Sequence, residues 1–146
     1  MSVLCGVASE VKVPSVYEAF AATAVESADK PFLHIPALAT RGYADGPVDL
    51  AYGEALAQVD ACAAAYAARG YGHPLRLALV LDNRAEFFVH WLALNKLGCS
   101  VIPVNRDMQA EEIAYFLDHG EASALVALPE ALPELAPVQA QLGRPV

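Results

Sequence analysis

The residues of this chain that could do chemistry are scattered. His34, His73, His90 and His119 stand far apart, as do Cys5, Cys62 and Cys99, and there is no Cys-x-x-Cys pair. A metal centre needs such ligands to converge on one point, and this spacing brings no two of them onto one helical turn. His90, one residue before Trp91, reads as a histidine packed on a helix. His119, at a helix end, reads as a cation favoured by the helix dipole. Cys62 among alanines and Cys99 just after a helix read as small packing residues. The pair Glu111–Glu112 could share acid–base work, but it stands where a helix N-terminus favours negative charge. No G-x-S-x-G nucleophile elbow is present.

Phosphate chemistry finds no cradle either. Lysines occur at Lys12, Lys30 and Lys96, none in a glycine-rich setting. A phosphate loop needs glycines so that backbone N–H groups can close on oxygen atoms. The turn Leu81–Arg84 has none and carries Asp82, which repels phosphate. One residue is placed to meet an anion: Arg106 follows an expected strand at the sheet edge where open α/β folds hold ligands.

The elements that must position these residues follow from the apolar spacing. Ser15 with Glu18 is a capping box for a short helix carrying Val16, Phe20 and Val25 inward. Phe32–Ile35 and Val48–Ala51 predict an antiparallel hairpin around a Gly- and Pro-containing loop. A helix over Gly53–Arg69 places Leu56, Val59, Ala63 and Tyr66 on one face, with Gly70 past its end. Leu75–Leu81 reads as a strand covered on both faces. Asn83 with Glu86 predicts the cap of the next, heavily buried helix, closed by Gly98. Ser100–Val104 is a second covered strand. Gln109 caps a helix with Glu112 reaching back and Ile113, Phe116 and Leu117 inward, stopped by Gly120. Ala124–Leu128 is a third strand. Pro129, Pro133 and Pro137 then interrupt the chain before a last helical stretch with Leu135, Val138 and Leu142 inward, closed by Gly143.

Alternation of helix and strand with short links predicts a mainly parallel sheet with right-handed crossovers and helices on both faces. The fold class is a three-layer α/β arrangement, preceded by a helix and a hairpin. Residues 1–14 form an N-terminal arm and 15–146 the folded unit. Gly143–Val146 reads as the lead into another strand, so the expectation is a piece of a larger α/β enzyme.

Composition agrees. The 146 residues are 56% apolar and 18% charged, with net charge -8. A disordered chain would be polar and charge-rich, and nucleic-acid binding needs a clustered basic face. Both are set aside, as is an anionic membrane surface. Mean hydropathy is +0.36 and the pI about 4.8. No apolar run reaches the ~20 residues of a membrane span. An odd number of separated cysteines suits a reducing cytoplasm.

Four strings in order resemble the AMP-forming acyl-CoA synthetases, the acyl-adenylating superfamily. DLAYGEAL (Asp49–Leu56) resembles that family's LTYxEL entry, and the alanine-rich helix ending ARGYG (Ala68–Gly72) its AxxLxxxGVxxGD segment. LALVLDNRAEFFVHWLALNKLGCSVIPVN (Leu77–Asn105) resembles VAIxLxNxxEFxxAxLAxxKxGAxxVPxN. QAEEIAYFLDHGEASALVA (Gln109–Ala127) resembles xxxELxYxLxxSxAKxLI. The similarity spans Ser15–Leu128, and the FFVHW version is similar to the carnitine and steroid- or terpenoid-type branches. Departures are Ala51 for the usual Ser or Thr, His73–Pro74 for Gly-Asp, and Arg106 for proline.

The resemblance implies the N-terminal subdomain of a carboxylic acid–CoA ligase. The parent would use ATP, Mg2+ and coenzyme A, forming an acyl-adenylate and passing the acyl group to the thiol. The ATP-gripping loop, the ribose-binding Asp and the catalytic Lys of that family all lie beyond the matched region. It implies that this piece is inactive alone, has no catalytic residue and no metal or cofactor of its own, and partners the remainder of the ligase. Its apolar faces predict a homo-oligomer. Arg106 would meet a nucleotide phosphate of coenzyme A. The rival readings are a standalone interaction or oligomerisation module of the same fold, and an unrelated flavodoxin-like domain.

Overall fold

The box expected at Ser15 forms. Ser15 Oγ accepts the Glu18 N–H at 3.2 Å and Glu18 Oε2 accepts the Ser15 N–H at 2.7 Å. It opens α1 (Val16–Glu26) in the computed structural model, which describes residues 13–142 and 145–146. Most of the expected arm, with Cys5 and Lys12, and the closing Gly143 lie outside the described residues. In α1 the buried stripe is Phe20 and Ala24, four apart. Val16 and Val25 are exposed rather than inward, because Val25 lies more than a third of a turn off the Phe20 line.

The hairpin is β1 (Pro31–Ile35) and β2 (Val48–Ala51), antiparallel with Ile35 opposite Val48. Its long loop is pinned inside by the buried Thr40, whose hydroxyl donates to the Gly46 carbonyl at 2.5 Å. α2 (Tyr52–Ala67) follows at once. Ala51 has no side-chain oxygen, so only half a box exists: Glu54 Oε2 accepts the Ala51 N–H at 3.0 Å. Ala55, Val59 and Ala63 form its buried stripe, small enough for α3 to approach closely, with Leu56 and Tyr66 half-buried beside it.

Three parallel strands follow, in the order β4-β3-β5: β3 (Arg76–Val80), β4 (Ser100–Pro103) and β5 (Ala124–Ala127). β3 is central and Leu77 to Val80 are fully buried, so its even apolar run is that of a strand covered twice. Among the described residues β4 and β5 are edge strands and only half-covered, which for β4 is contrary to the expectation of burial on both faces.

α3 (Ala85–Lys96) starts one residue later than the sequence suggests. The Arg84 N–H turns back to the Asp82 carbonyl at 2.7 Å, so Arg84, not Asn83, occupies the cap, and Glu86 pairs with the Arg84 guanidinium instead of closing a box. α4 (Ala110–His119) has Glu112 Oε2 accepting the Gln109 N–H at 2.9 Å, as expected. Its inward face is Ile113, Ala114 and Leu117; Phe116 is exposed. Ala114 lets the last helix lie close and shares its core cluster.

A 3-10 turn (Pro129–Ala131) leads into α5 (Leu132–Gln141), so Pro129 precedes the helix as expected while Pro133 and Pro137 lie within it. Pro133 sits in the first turn, where its missing N–H has no intrahelical acceptor to lose. Pro137 lies inside, at the cost of one ladder bond.

The layers are then clear. Ala78 and Val80 pack with Ile113, Leu117, Leu135 and Val138 beneath α4 and α5. Leu77 and Leu79 pack with Leu94 and Cys99 beneath α3. A third cluster joins α1, the hairpin, α2 and the outer face of α3. Among the described residues no helix is long and apolar enough to cross a membrane.

Candidate functional site

β4 lies on one side of β3 and β5 on the other, so the chain reverses direction across the sheet at β3. Such a reversal opens a crevice at the C-terminal ends of the strands. Here a cleft of about 590 Å³ lies there, lined by Asp82, Asn83, Phe87, Pro103, Asn105 and Arg106. The backbone carrying Arg106 is folded by Asn105, whose Oδ1 accepts the Asp107 N–H at 3.1 Å. This is the local habit of an asparagine at a turn.

Arg106 is engaged. Its Nε and Nη2 donate to the two Glu134 oxygens at 2.7 and 2.8 Å, and Nη1 lies 3.5 Å from Asp82 Oδ2. The hydrogen bonds it donates to Glu134 push the guanidinium above its ordinary value. Those from Arg106 hold the Glu134 carboxyl below the usual range. Arg84 is tied along the same rim, to Glu130 and Glu86 at 3.1 Å each, with its guanidinium carbon 4.1 Å from the Tyr43 ring centre.

Glu86 and Glu130 thus hold Arg84, Glu134 and Asp82 hold Arg106, and the cleft lining itself carries two carboxylates, Asp82 and Asp107, beside one cation, Arg106. The β3–α3 turn carries Asp82 and no glycine. This rim does not fit a triphosphate.

The other candidate residues lie apart from the cleft. His34 pairs with Asp49 across the hairpin at 2.6 Å. His73 gives its N–H to the Leu97 carbonyl near Gly98. His119 stacks on Tyr115, ring centres 5.4 Å apart. Lys96 pairs with Asp60 at 2.9 Å. Cys99 is buried beneath α3. Glu111 and Glu112 sit in the first turn of α4.

One contact among them is not visible in sequence. His90 Nδ1 lies 2.6 Å from Tyr66 Oη and 3.6 Å from Cys62 Sγ, joining α3 to α2. Burial raises the Tyr66 phenol and the Cys62 thiol and lowers His90. The phenol therefore keeps its proton, and the tautomer of the imidazole sets which of the two groups donates. Sequence reasoning also missed Glu134 and Tyr43. Each meets its arginine across tens of residues, and nothing local marks the pairing.

The family described as AMP-binding enzyme matches residues 20–145. The chain is 38% identical over 58 residues to the crotonobetaine/carnitine–CoA ligase of Salmonella typhimurium, covering 40% of this chain and 11% of that one. It is 39% identical over 57 residues to the protein of that name from Citrobacter koseri, covering 39% and 11%. Among solved structures, the Mycobacterium tuberculosis fatty acyl CoA synthetase superposes with TM-score 0.72 at 22% identity, over 87% of this chain and 24% of that one. The Klebsiella oxytoca NpsA N-terminal subdomain gives 0.70 at 22%, over 80% and 27%. The match therefore spans about a tenth of those curated relatives and about a quarter of those solved chains.

Proposed function

This chain belongs to the AMP-binding enzyme family, and from that premise we propose that it is the N-terminal portion of an AMP-forming carboxylic acid–CoA ligase. The observation that carries the reading is the match over residues 20–145, which runs from the middle of α1 through α5. The parent joins a carboxylate to AMP, releasing pyrophosphate from ATP, and then passes the acyl group to the coenzyme A thiol. The relatives, a crotonobetaine/carnitine–CoA ligase and a fatty acyl CoA synthetase, support that reaction class. A fatty, steroid- or terpenoid-type acid, a cytoplasmic setting, an Mg2+ requirement of the parent and homo-oligomerisation of this chain belong to the same proposal.

In this reading the chain contributes scaffold. The sheet and its two helical layers hold the rim of the cleft, and the adenylating machinery comes from elsewhere in the parent. The test compares the 146-residue chain with the same chain extended by its gene's continuation, for carboxylate-dependent pyrophosphate release from ATP. The expected result is release by the extended protein and none by this chain; release by this chain alone overturns the reading.

Arg106 is the residue to which the reading assigns a ligand, a phosphate of coenzyme A. Glu134 already takes two of its donors and Asp82 stands 3.5 Å from Nη1, so a phosphate reaches Arg106 only by displacing one of these carboxylates.

A further inference from the structure

Polar contacts hold the start of α1 in place. The Tyr17 N–H donates to Asn95 Oδ1 at 2.9 Å, and Asp60 Oδ1 accepts from both the Tyr17 hydroxyl and the Lys96 ammonium at 2.9 Å. α1 is thereby tied to α2 and α3. Beside these contacts lies an apolar groove of about 400 Å³, bordered by Val16, Ala19 and Thr23 of α1, Phe32 of β1, and Phe88 and Trp91 of α3. Phe32 stands half-buried within it, its ring centre 5.0 Å from Phe20, 5.2 Å from Tyr52 and 6.3 Å from Phe88. None of the described residues bordering the groove is charged, and Val16 at its rim is 48% exposed. With its walls already tied together, the groove is preformed for an apolar occupant.

The chain that precedes α1 has the position, the length and the chemistry to fill it. Val16 is the first residue of the helix, so the preceding segment starts at the rim of the groove. Residues 1–12 lie outside the described part of the chain. Their stretch Val3-Leu4-Cys5-Gly6-Val7 has no charged side chain and no proline. Extended, it turns Val3, Cys5 and Val7 to one side. Five extended residues span roughly 16 Å. The helical rise of α1, Val16–Glu26, is also roughly 16 Å. Residues 8–13 remain for the turn back.

Two physical terms favour this occupant over a second copy. A tethered segment meets its site at an effective concentration on the order of millimolar. A second copy must bring its own net charge of -8 against the first.

We propose that the N-terminal arm folds back along α1 and seats Val3, Cys5 and Val7 in the groove, over Phe32, Phe88 and Trp91. The arm then covers the exposed side of the cluster formed by α1, the hairpin and α3, and the Cys5 thiol is shielded from solvent. This goes beyond the ligase reading and does not depend on it.

Trp91 is the single tryptophan of the chain, so its fluorescence reports on this groove. The experiment compares the 146-residue chain with the same chain lacking residues 1–12 and with Thr23→Glu. That variant sets a charge at an exposed position on the groove wall and leaves the arm's own sequence intact. Deleting the arm is expected to shift the Trp91 emission to the red and to raise its quenching by acrylamide. In Thr23→Glu the Cys5 thiol is expected to be alkylated about tenfold or more faster than in the parent chain, read by peptide mass spectrometry. Circular-dichroism melts report whether each protein folds. Val7→Asp, outside the described fold, is expected to give both changes and carries the test where Thr23→Glu or the deletion impairs folding. Trp91 emission and quenching indifferent to the arm, or a Cys5 rate that neither variant changes, overturns the proposal. So does a Trp91 shift that follows protein concentration together with a dimer that Thr23→Glu splits, since that assigns the groove to a second copy.

Discussion

Arg106, just beyond β4, is gripped by both carboxylate oxygens of Glu134 in the first turn of α5, at 2.7 and 2.8 Å. The pair ties the loop of one edge strand to the helix that leaves the other edge. It holds the remaining guanidinium nitrogen, Nη1, 3.5 Å from Asp82 on the cleft wall. In the full-length ligase Arg106→Glu is expected to raise KM for coenzyme A by roughly tenfold or more, as the loss of a charge-assisted contact would. Glu134→Gln keeps the cation and is expected to change that KM much less. Steady-state kinetics with coenzyme A as the varied substrate decide, and an unchanged KM in Arg106→Glu removes the assignment.

The start of α1 is capped from two distances. Ser15 serves the Glu18 N–H locally, and Asn95 Oδ1, far along the chain on α3, accepts the Tyr17 N–H at 2.9 Å. First-turn N–H groups have no partner within their own helix, so each needs one from elsewhere. Asn95→Ala leaves the part-buried Tyr17 donor unpaired and is expected to cost about 1–2 kcal/mol, read as a lower urea midpoint. An unchanged midpoint would show that water replaces Asn95 without loss.

Gly120 is a glycine for reasons of space. Its φ of -74° is open to any residue. A Cβ there would stand 2.6 Å from Ile102 Cδ1 and 2.8 Å from the Phe116 carbonyl oxygen. Ile102 can rotate away, but the backbone oxygen cannot. Gly120→Ala is expected to destabilise by about 1–3 kcal/mol, the usual cost of overpacking, as a lower melting temperature. A variant as stable as the parent chain would mean that α4 shifts freely over β4.

His90 gives the chain a dependence on acid. Burial lowers its pKa, partly offset by Glu86. Between that lowered value and the ordinary value near 6.5 the unfolded chain binds a proton that the folded chain does not. The stability from keeping His90 neutral is therefore full above about pH 6.5 and is lost as pH falls through that window. His90→Gln is expected to flatten the slope of unfolding free energy between pH 7.5 and 5.5, measured by urea titration at several pH values. An equal slope in both proteins would place the acid sensitivity elsewhere.

Element order was written in local signals. The Ser15–Glu18 box, the hairpin, Gly70 and Gly98 in left-handed backbone, and the even apolar run of β3 are all decided within a few residues, and the structure carries them where the sequence puts them. Boundaries that depend on packing moved: the cap of α3 went to Arg84, Phe116 turned outward, and α5 absorbed Pro133 and Pro137.

The site divides the same way. Arg106 could be placed at a strand end because alternation fixes where strand ends lie. Its partner could not, because Glu134 meets it only after two strands have been laid on opposite sides of β3. The same holds for the Tyr66–His90 pair and for the open side of β5. Sequence by itself determined which segments are helix or strand, since propensity, capping and apolar period act between near neighbours. Only the tertiary structure decided which charges meet and which edge stays open, since those depend on strand order and crossover hand, which no short stretch of chain encodes.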